Sequence, residues 1–167
     1  MEVNTEAIKK LRSKSGAGIM DCCNALKEFE GDSTKALEHL KEKGFRKATK
    51  KADRTTTEGL IESYIHTGGR VGALIELNCE TDFVARTDEF KRLAREIALQ
   101  VAAMCPRYIE KEELPADSEE DPETTCLMEQ AYIRDPDKKV RDLITETIAK
   151  VGENIRLKQF ARYELGN

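Results

Sequence analysis

Between residues 5 and 44 apolar side chains recur at helical spacing and are punctuated by glycine. Ala7, Ile8 and Leu11 fall on one face of a helix that Thr5 can cap, and Ser15-Gly16-Ala17-Gly18 then forces a break. Ile19, Cys23 and Leu26 resume the period, Gly31-Asp32-Ser33 breaks it again with capping residues, and Ala36, Leu37 and Leu40 predict a third helix ended by Gly44. These three short helices make a small bundle. The stretch from Lys47 to Arg54 and Thr55-Thr56-Thr57 has too few apolar residues to build a core and reads as helix tail and linker.

From Gly59 the period changes to that of strands. Leu60 to Ile65 reads as one strand, Thr67-Gly68-Gly69 as a hairpin turn, and Val71, Ala73, Ile75, Leu77 and Cys79 line one face of a second strand. Near the C-terminus Ile155, Leu157, Ala161, Tyr163 and Leu165 oppose Arg156, Lys158, Arg162 and Glu164, the alternation of an antiparallel strand with one wet face.

Helices separate these strands. Phe90, Leu93, Ala94, Ile97, Val101 and Met104 form an apolar stripe that Thr87 and Asp88 begin and Pro106 ends. Glu110 to Asp121, with Pro115, reads as an exposed acidic loop, and Pro122 suits the first turn of a helix. Val140, Leu143, Ile144, Ile148 and Val151 mark a last helix before Gly152. The fold class is α+β, with a three-helix module over residues 1–55 and, over residues 56–167, a core of helices packed on a three-stranded antiparallel sheet.

Composition narrows the function. At 39% hydrophobic residues the chain has enough for a core, while 36% charged residues and a mean hydropathy of -0.60 fit helices with solvated faces. No run approaches the roughly 20 apolar residues of a membrane span. The start MEVNTEAIKK lacks the apolar stretch of a secretory signal, so a cytosolic location is expected. Cys22, Cys23, Cys79, Cys105 and Cys126 are odd in number and offer no paired C-x-x-C ligands for zinc, which leaves reduced thiols as the default. Residues 1–57 carry 13 Lys and Arg against 9 Asp and Glu, a basic bias that could suggest nucleic acid. The positive charges are interleaved with Glu28, Glu30, Asp32, Glu38 and Glu42, and few aromatics are present to stack on bases. Direct nucleic-acid binding is therefore not expected.

Catalytic chemistry does not stand out either. His39 and His66 belong to no ligand motif and read as surface histidines. Gly68-Gly69-Arg70-Val71-Gly72 precedes a strand instead of following one, and no G-x-x-x-x-G-K-[ST] is present, so the chain is expected to bind no nucleotide, cofactor or metal of its own. What stands out is Asn78 to Arg86, where a strand gives way to the long helix. Thr81 or Asp82 could cap a helical turn while Phe83 closes the edge of the core. Alternatively, Phe83 could project from the corner as an aromatic anchor for a partner. Spacing does not decide between these readings.

Four segments resemble the elongation factor Ts family, in the family's order and across essentially the whole chain. They are Leu11-Arg12-Ser13-Lys14-Ser15-Gly16-Ala17-Gly18-Ile19-Met20-Asp21-Cys22, Gly68-Gly69-Arg70-Val71-Gly72, Cys79-Glu80-Thr81-Asp82-Phe83-Val84-Ala85-Arg86 and Val151-Gly152-Glu153-Asn154-Ile155. Ser15 stands where the family usually has threonine, which keeps the hydroxyl. Cys23 stands where lysine is common, which puts any ionic contact there in doubt.

The resemblance implies a non-enzymatic guanine-nucleotide exchange factor for the GTPase elongation factor Tu. It implies that residues 1–55 are similar to a ubiquitin-associated domain and dock on the GTPase through Leu11, Arg12, Gly16, Ala17, Gly18 and Met20. A structural reading also accounts for these residues, with Leu11 and Met20 packing a small core and the glycines making the turn. Thr81, Asp82, Phe83 and Val84 match the stretch that in the family pushes between helices of the GTPase, disturbs its magnesium site and favours GDP release. Phe83 would be the wedge, and Asp82 would supply polar contacts. The chain is short for the family, and resemblance to the short forms implies a homodimer, with Asn154 to Leu165 as the candidate interface strand. The rival function is a ubiquitin-associated-like adaptor for peptides or RNA, which would have no need of residues 81–84.

Overall fold

The computed structural model describes residues 4–166. They fall into two compact units. One comprises the chain up to Asp53 together with Thr145–Gly152, and the other comprises Arg54–Ile144 and the chain from Glu153 onward.

In the first unit, α1 (Thr5–Ser15), α2 (Ile19–Glu28) and α3 (Ser33–Thr49) form the expected bundle. Its core is Leu11, Cys22, Ala25, Leu26, Ala36 and Leu40, with Ala7, Ile8, Ala17, Phe29 and Leu37 packed around them. The cap of α1 is Asn4, whose side chain accepts from the Glu6 N–H at 2.9 Å, so Thr5 is the first helical residue and not the cap. Asn offers the same short acceptor one position earlier. Gly16 ends α1 at φ +65°, and its N–H donates to the Arg12 carbonyl at 2.8 Å, closing the left-handed cap that glycine takes without steric cost. Asp32 caps α3, accepting from the Thr34 and Lys35 N–H groups at 3.0 and 3.1 Å.

Two expectations are corrected here. Gly44 does not end α3, which continues to Thr49. A glycine stops a helix where the chain turns left-handed, and Gly44 is not among the glycines of positive φ. In a helix interior it costs about 1 kcal/mol relative to alanine, too little to break an otherwise continuous helix. On α2 the inward face runs through Cys22, Ala25 and Leu26, so Cys22 is fully buried while Cys23 is only half-buried.

In the second unit, β1 (Glu58–Ile65) and β2 (Val71–Cys79) form an antiparallel hairpin, closed by the His66 N–H on the Val71 carbonyl at 2.8 Å. Gly68 and Gly69, at φ +91° and +68°, make the turn. Then follow α4 (Asp82–Ala85), α5 (Asp88–Met104), α6 (Pro122–Thr125), a small hairpin of β3 (Ala131–Tyr132) and β4 (Asp135–Lys139), α7 (Val140–Val151) and β5 (Ile155–Glu164). α7 begins in this unit and ends in the other. The main sheet runs β1-β2-β5 with antiparallel neighbours, so β2 is central. The architecture is α+β. α5 lies on one face of this sheet, burying Phe90, Leu93, Ala94, Ile97, Ala98 and Val101 against Ala73, Ile75, Leu77, Ile155 and Leu157.

Between α5 and the β3–β4 hairpin the buried Gln100 donates to the Gln130 side chain at 3.2 Å and the Ala131 carbonyl at 3.0 Å, and accepts from the Ile133 N–H at 2.9 Å. Each polar end of this amide is satisfied, as burial demands. Among the described residues no helix is long and apolar enough to cross a membrane.

β5 departs from simple alternation. Glu76 pairs with Gln159 and Leu77 with Leu157, so Lys158 is an extra residue, a β-bulge. Glu76 accepts from Lys158 Nζ at 2.9 Å and Gln159 Nε2 at 2.8 Å, which fixes the bulge and holds its carboxyl below the usual range. Beyond the bulge the faces exchange. Phe160 and Arg162 lie opposite the inward residues Ile75 and Ala73, and the Arg162 guanidinium reaches the Ala102 carbonyl of α5 at 3.0 Å. Tyr163 turns outward, 72% exposed. The expected grouping of Ala161, Tyr163 and Leu165 with Ile155 and Leu157 therefore holds only before Lys158.

Phe90, wholly buried between α5 and the sheet, fills more volume than any other fully buried side chain. Phe90→Ala should lower unfolding stability by ~3–5 kcal/mol, read as a fall in the urea midpoint at unchanged slope.

Candidate functional site

The corner between β2 and α5 is built from a strand end, one helical turn and a helix start. Thr81 is extended and caps α4, and its hydroxyl accepts weakly from the Val84 N–H at 3.5 Å. At the other end the Thr87 hydroxyl donates to the Val84 carbonyl at 2.8 Å and accepts from the Phe90 N–H at 3.3 Å, so one threonine ties α4 to the start of α5. Val84 and Ala85 are buried. Phe83 is 80% exposed, more than any other large apolar residue described. Asp82 and Arg86 flank it as an exposed ion pair at 2.7 Å.

The strand-side anchoring comes from the far end of the chain. The Glu153 carboxylate accepts from the Thr81 N–H at 2.9 Å and from its hydroxyl at 2.6 Å. Glu80 accepts from the Asn154 N–H at 2.6 Å, and the Asn154 side chain donates to the Arg54 carbonyl at 2.9 Å. The Arg54 guanidinium lies 3.5 Å from Glu80. The Cys79 thiol, which donates to the Thr81 carbonyl at 3.1 Å, is pushed up to about 11, first by burial and then by the Glu153 charge, so it stays a protonated donor at neutral pH. The sequence motif containing Glu153 and Asn154 was visible, but its partners lie more than 70 residues away in the chain and no local spacing points to them.

The second cluster belongs to the first unit. Leu11 is buried at 2% exposure and serves the bundle core, while Arg12 is exposed. Gly16 makes the left-handed cap, Ala17 is half-buried and donates its N–H to the Ser15 hydroxyl at 3.2 Å, and Gly18 precedes α2 as its N-cap. Met20 does not pack a small core with Leu11. It sits off the face of Cys22, Ala25 and Leu26 and is 70% exposed, beside Ile19 at 55%. Ile19 falls on the apolar period of the sequence, yet it joins Met20 in an outward apolar pair at the start of α2. Asp21, next to them, is held by Lys43 at 2.8 Å and Lys47 at 3.3 Å, which fixes the first turn of α2 to α3.

Among the described residues no group of His, Cys, Asp and Glu could hold a metal ion. What the two clusters offer is apolar side chains on well-anchored turns, chemistry suited to contact with another protein.

The sequence model described as Elongation factor TS matches residues 4–123. The chain is 50% identical to the elongation factor Ts of Thermotoga neapolitana, with 99% of this chain and 98% of that protein covered. The Thermotoga maritima protein of the same name gives the same identity and coverage. That of Caldanaerobacter subterraneus is 47% identical, with 98% of this chain and 97% of the relative covered.

Asp21 carries a pH signature. The hydrogen bond from Lys43 is the largest influence lowering its carboxyl below the ordinary value of 3.8. A depressed folded-state value means stability that is fully present above about pH 4 and is lost as pH falls through the folded value. Asp21→Asn should therefore be less stable than the parent near neutral pH, and the gap should close on acidification below about pH 4, as measured by urea midpoints across the series.

Proposed function

The chain belongs to the elongation factor Ts family, a guanine-nucleotide exchange factor of translation elongation, and from that premise we propose how its residues carry out exchange on elongation factor Tu. The adaptor reading is not favoured by this membership.

Residues 1–55 act as the docking module, similar to a ubiquitin-associated domain, and residues 56–167 as the core that acts on the nucleotide. In the module Arg12, Ala17 and Met20 meet the GTPase, with Gly16 and Gly18 shaping the turn and Leu11 supporting it from the core. Ile19 and Met20 give this contact its apolar anchor. In the core, Thr81, Asp82, Phe83 and Val84 press on the GTPase near its magnesium site. Phe83 is the wedge, Asp82 supplies polar contacts, and Val84 and Thr81 hold the turn. The observation carrying this reading is the 80% exposure of Phe83 on a corner anchored at both ends. An aromatic ring held out in water contributes little to folding and has its surface free for a partner.

The energetics are within reach. Magnesium offsets phosphate charge, and disturbing it leaves GDP poorly held. Loosening GDP by ~10³-fold needs about 4 kcal/mol of coupling. Reciprocity then makes nucleotide weaken the factor's own binding by the same ratio, so rebinding of GTP releases the factor. The protein works in the cytoplasm without a cofactor, metal or bound nucleotide of its own.

We also infer a homodimer. The sheet face opposite α5 exposes Ile61, Ile65, Leu74 and Tyr163, with Leu165 beyond the end of β5 also exposed. The occupant proposed for this face is a second copy of the chain, whose identical face would cover it.

The direct test is release of labelled GDP from elongation factor Tu. The chain should accelerate it, and Phe83→Ala should cut the acceleration by one to two decades, about 1.4–2.8 kcal/mol of coupling, while shifting stability by less than ~0.5 kcal/mol. A variant that melts early yet exchanges normally when folded would assign Phe83 to the core instead. Sedimentation should give twice the 18.9 kDa chain mass, and Tyr163→Glu should shift the protein toward monomer. A wild-type monomer at micromolar concentration would refute the dimer.

A further inference from the structure

We propose that Glu153 is the positioning residue of the exchange corner, setting the direction of Phe83 through Thr81. The inference rests on the reading of Phe83 given above.

The need for such a residue follows from size. α4 has four residues, and helices shorter than about 12 residues are marginal on their own because nucleation fixes several dihedrals for one hydrogen bond. Its direction must be imposed from outside. On the α5 side Thr87 does this. On the strand side main-chain pairing stops too early, because the β2–β5 ladder ends at Cys79 opposite Ile155.

Two carboxylates extend the ladder past that end. Glu80 reaches across to the Asn154 N–H, and Glu153 reaches back to the Thr81 N–H and hydroxyl. These are crossed carboxylate-to-amide links between residues 80–81 and 153–154, in the place where the next rungs would lie. A hydrogen bond to a charged acceptor is shorter and stronger than a neutral one.

Glu153 also decides what the Thr81 hydroxyl can do. With its proton donated to Glu153 at 2.6 Å, the oxygen can only accept from the turn, and its lone pairs serve the Val84 N–H. The chain of command runs carboxylate, hydroxyl, amide of α4. Phe83 sits between Thr81 and Val84, so its exit direction is set by the two residues this link fixes. Glu153→Gln keeps one acceptor and turns an amide donor toward a donor. It breaks one arm of the grip while conserving volume.

A positioning residue acts only through the group it positions. The experiment measures GDP release from elongation factor Tu against factor concentration for the parent, Glu153→Gln, Phe83→Ala and the double variant, with melting followed on each. Glu153→Gln should lower the saturated release rate by about tenfold and leave the half-saturating concentration within about twofold, because the docking module is untouched. In the Phe83→Ala background the same change should have no further effect. Thr81→Val, which loses the hydroxyl, should fall well below Thr81→Ser, which keeps it. This pair tests the link from the other side should Glu153→Gln fold poorly.

The outcomes separate. If Phe83→Ala exchanges like the parent, the wedge reading fails and the inference falls with it. If Phe83→Ala is impaired but Glu153→Gln is not, or if Glu153→Gln costs as much in the double variant as alone, the wedge stands and the positioning role is overturned. Equal rates for Thr81→Val and Thr81→Ser would also overturn it.

Discussion

The second unit depends on the double pairing of β2. It is the only strand of the main sheet with a neighbour on each edge, and its inward residues Ala73, Ile75, Leu77 and Cys79 are all buried beneath the helices that follow it. A strand so held cannot tilt or slip without breaking ladders on both sides and exposing its apolar face. The chain leaving its C-terminal end is therefore aimed before it turns. The corner, the short helix and the start of α5 inherit their placement from that strand, and the side-chain links to residues 153 and 154 carry the same rigidity past the last rung.

This division of labour explains why buried and exposed apolar residues alternate so sharply along residues 81–90. Val84, Ala85 and Phe90 face the core and hold the turn, while Phe83 faces water. Binding energy concentrates in a few rigidly presented side chains, since a mobile ring would lose rotamer and backbone freedom on contact and spend part of its binding energy on that ordering. The two clusters also differ in kind. Ile19 and Met20 sit on the first turn of a helix whose other face packs a core, whereas Phe83 sits on a turn that exists only because its surroundings impose it.

Much of the fold could be read from periodicity because helix and strand periods were long and cleanly separated. The stripe from Phe90 to Met104 and the alternation from Val71 to Cys79 are examples, and both elements stand where the pattern placed them. The failures share a cause, which is that the deciding partner was distant or the local signal ambiguous. Gly44 looks like a stop, but only its φ distinguishes an interior glycine from a cap. β4 is Asp-Pro-Asp-Lys-Lys, a short polar strand of a two-stranded hairpin that lacks the apolar alternation strands are recognised by. Met20 and Ile19 have core-like chemistry, and only the packing of Cys22 and Leu26 reveals which side of α2 is inside. For Phe83 the sequence left two roles open, because exposure is a property of the finished fold. Glu153 carried a motif but no address.

The extra residue at Lys158 has a consequence for how this surface can change over time. Because Lys158 is a residue in excess of the ladder, losing it would keep Gln159 opposite Glu76, Phe160 opposite Ile75 and Arg162 opposite Ala73, and the strand would return to plain alternation with its faces unchanged. A one-residue change of length elsewhere in a paired strand exchanges its inner and outer sets at once, whereas here a single loss can be taken up by the bulge. The bulge thus gives β5 one residue of slack, and a lineage could lose it while keeping Arg162 toward α5 and Tyr163 outward.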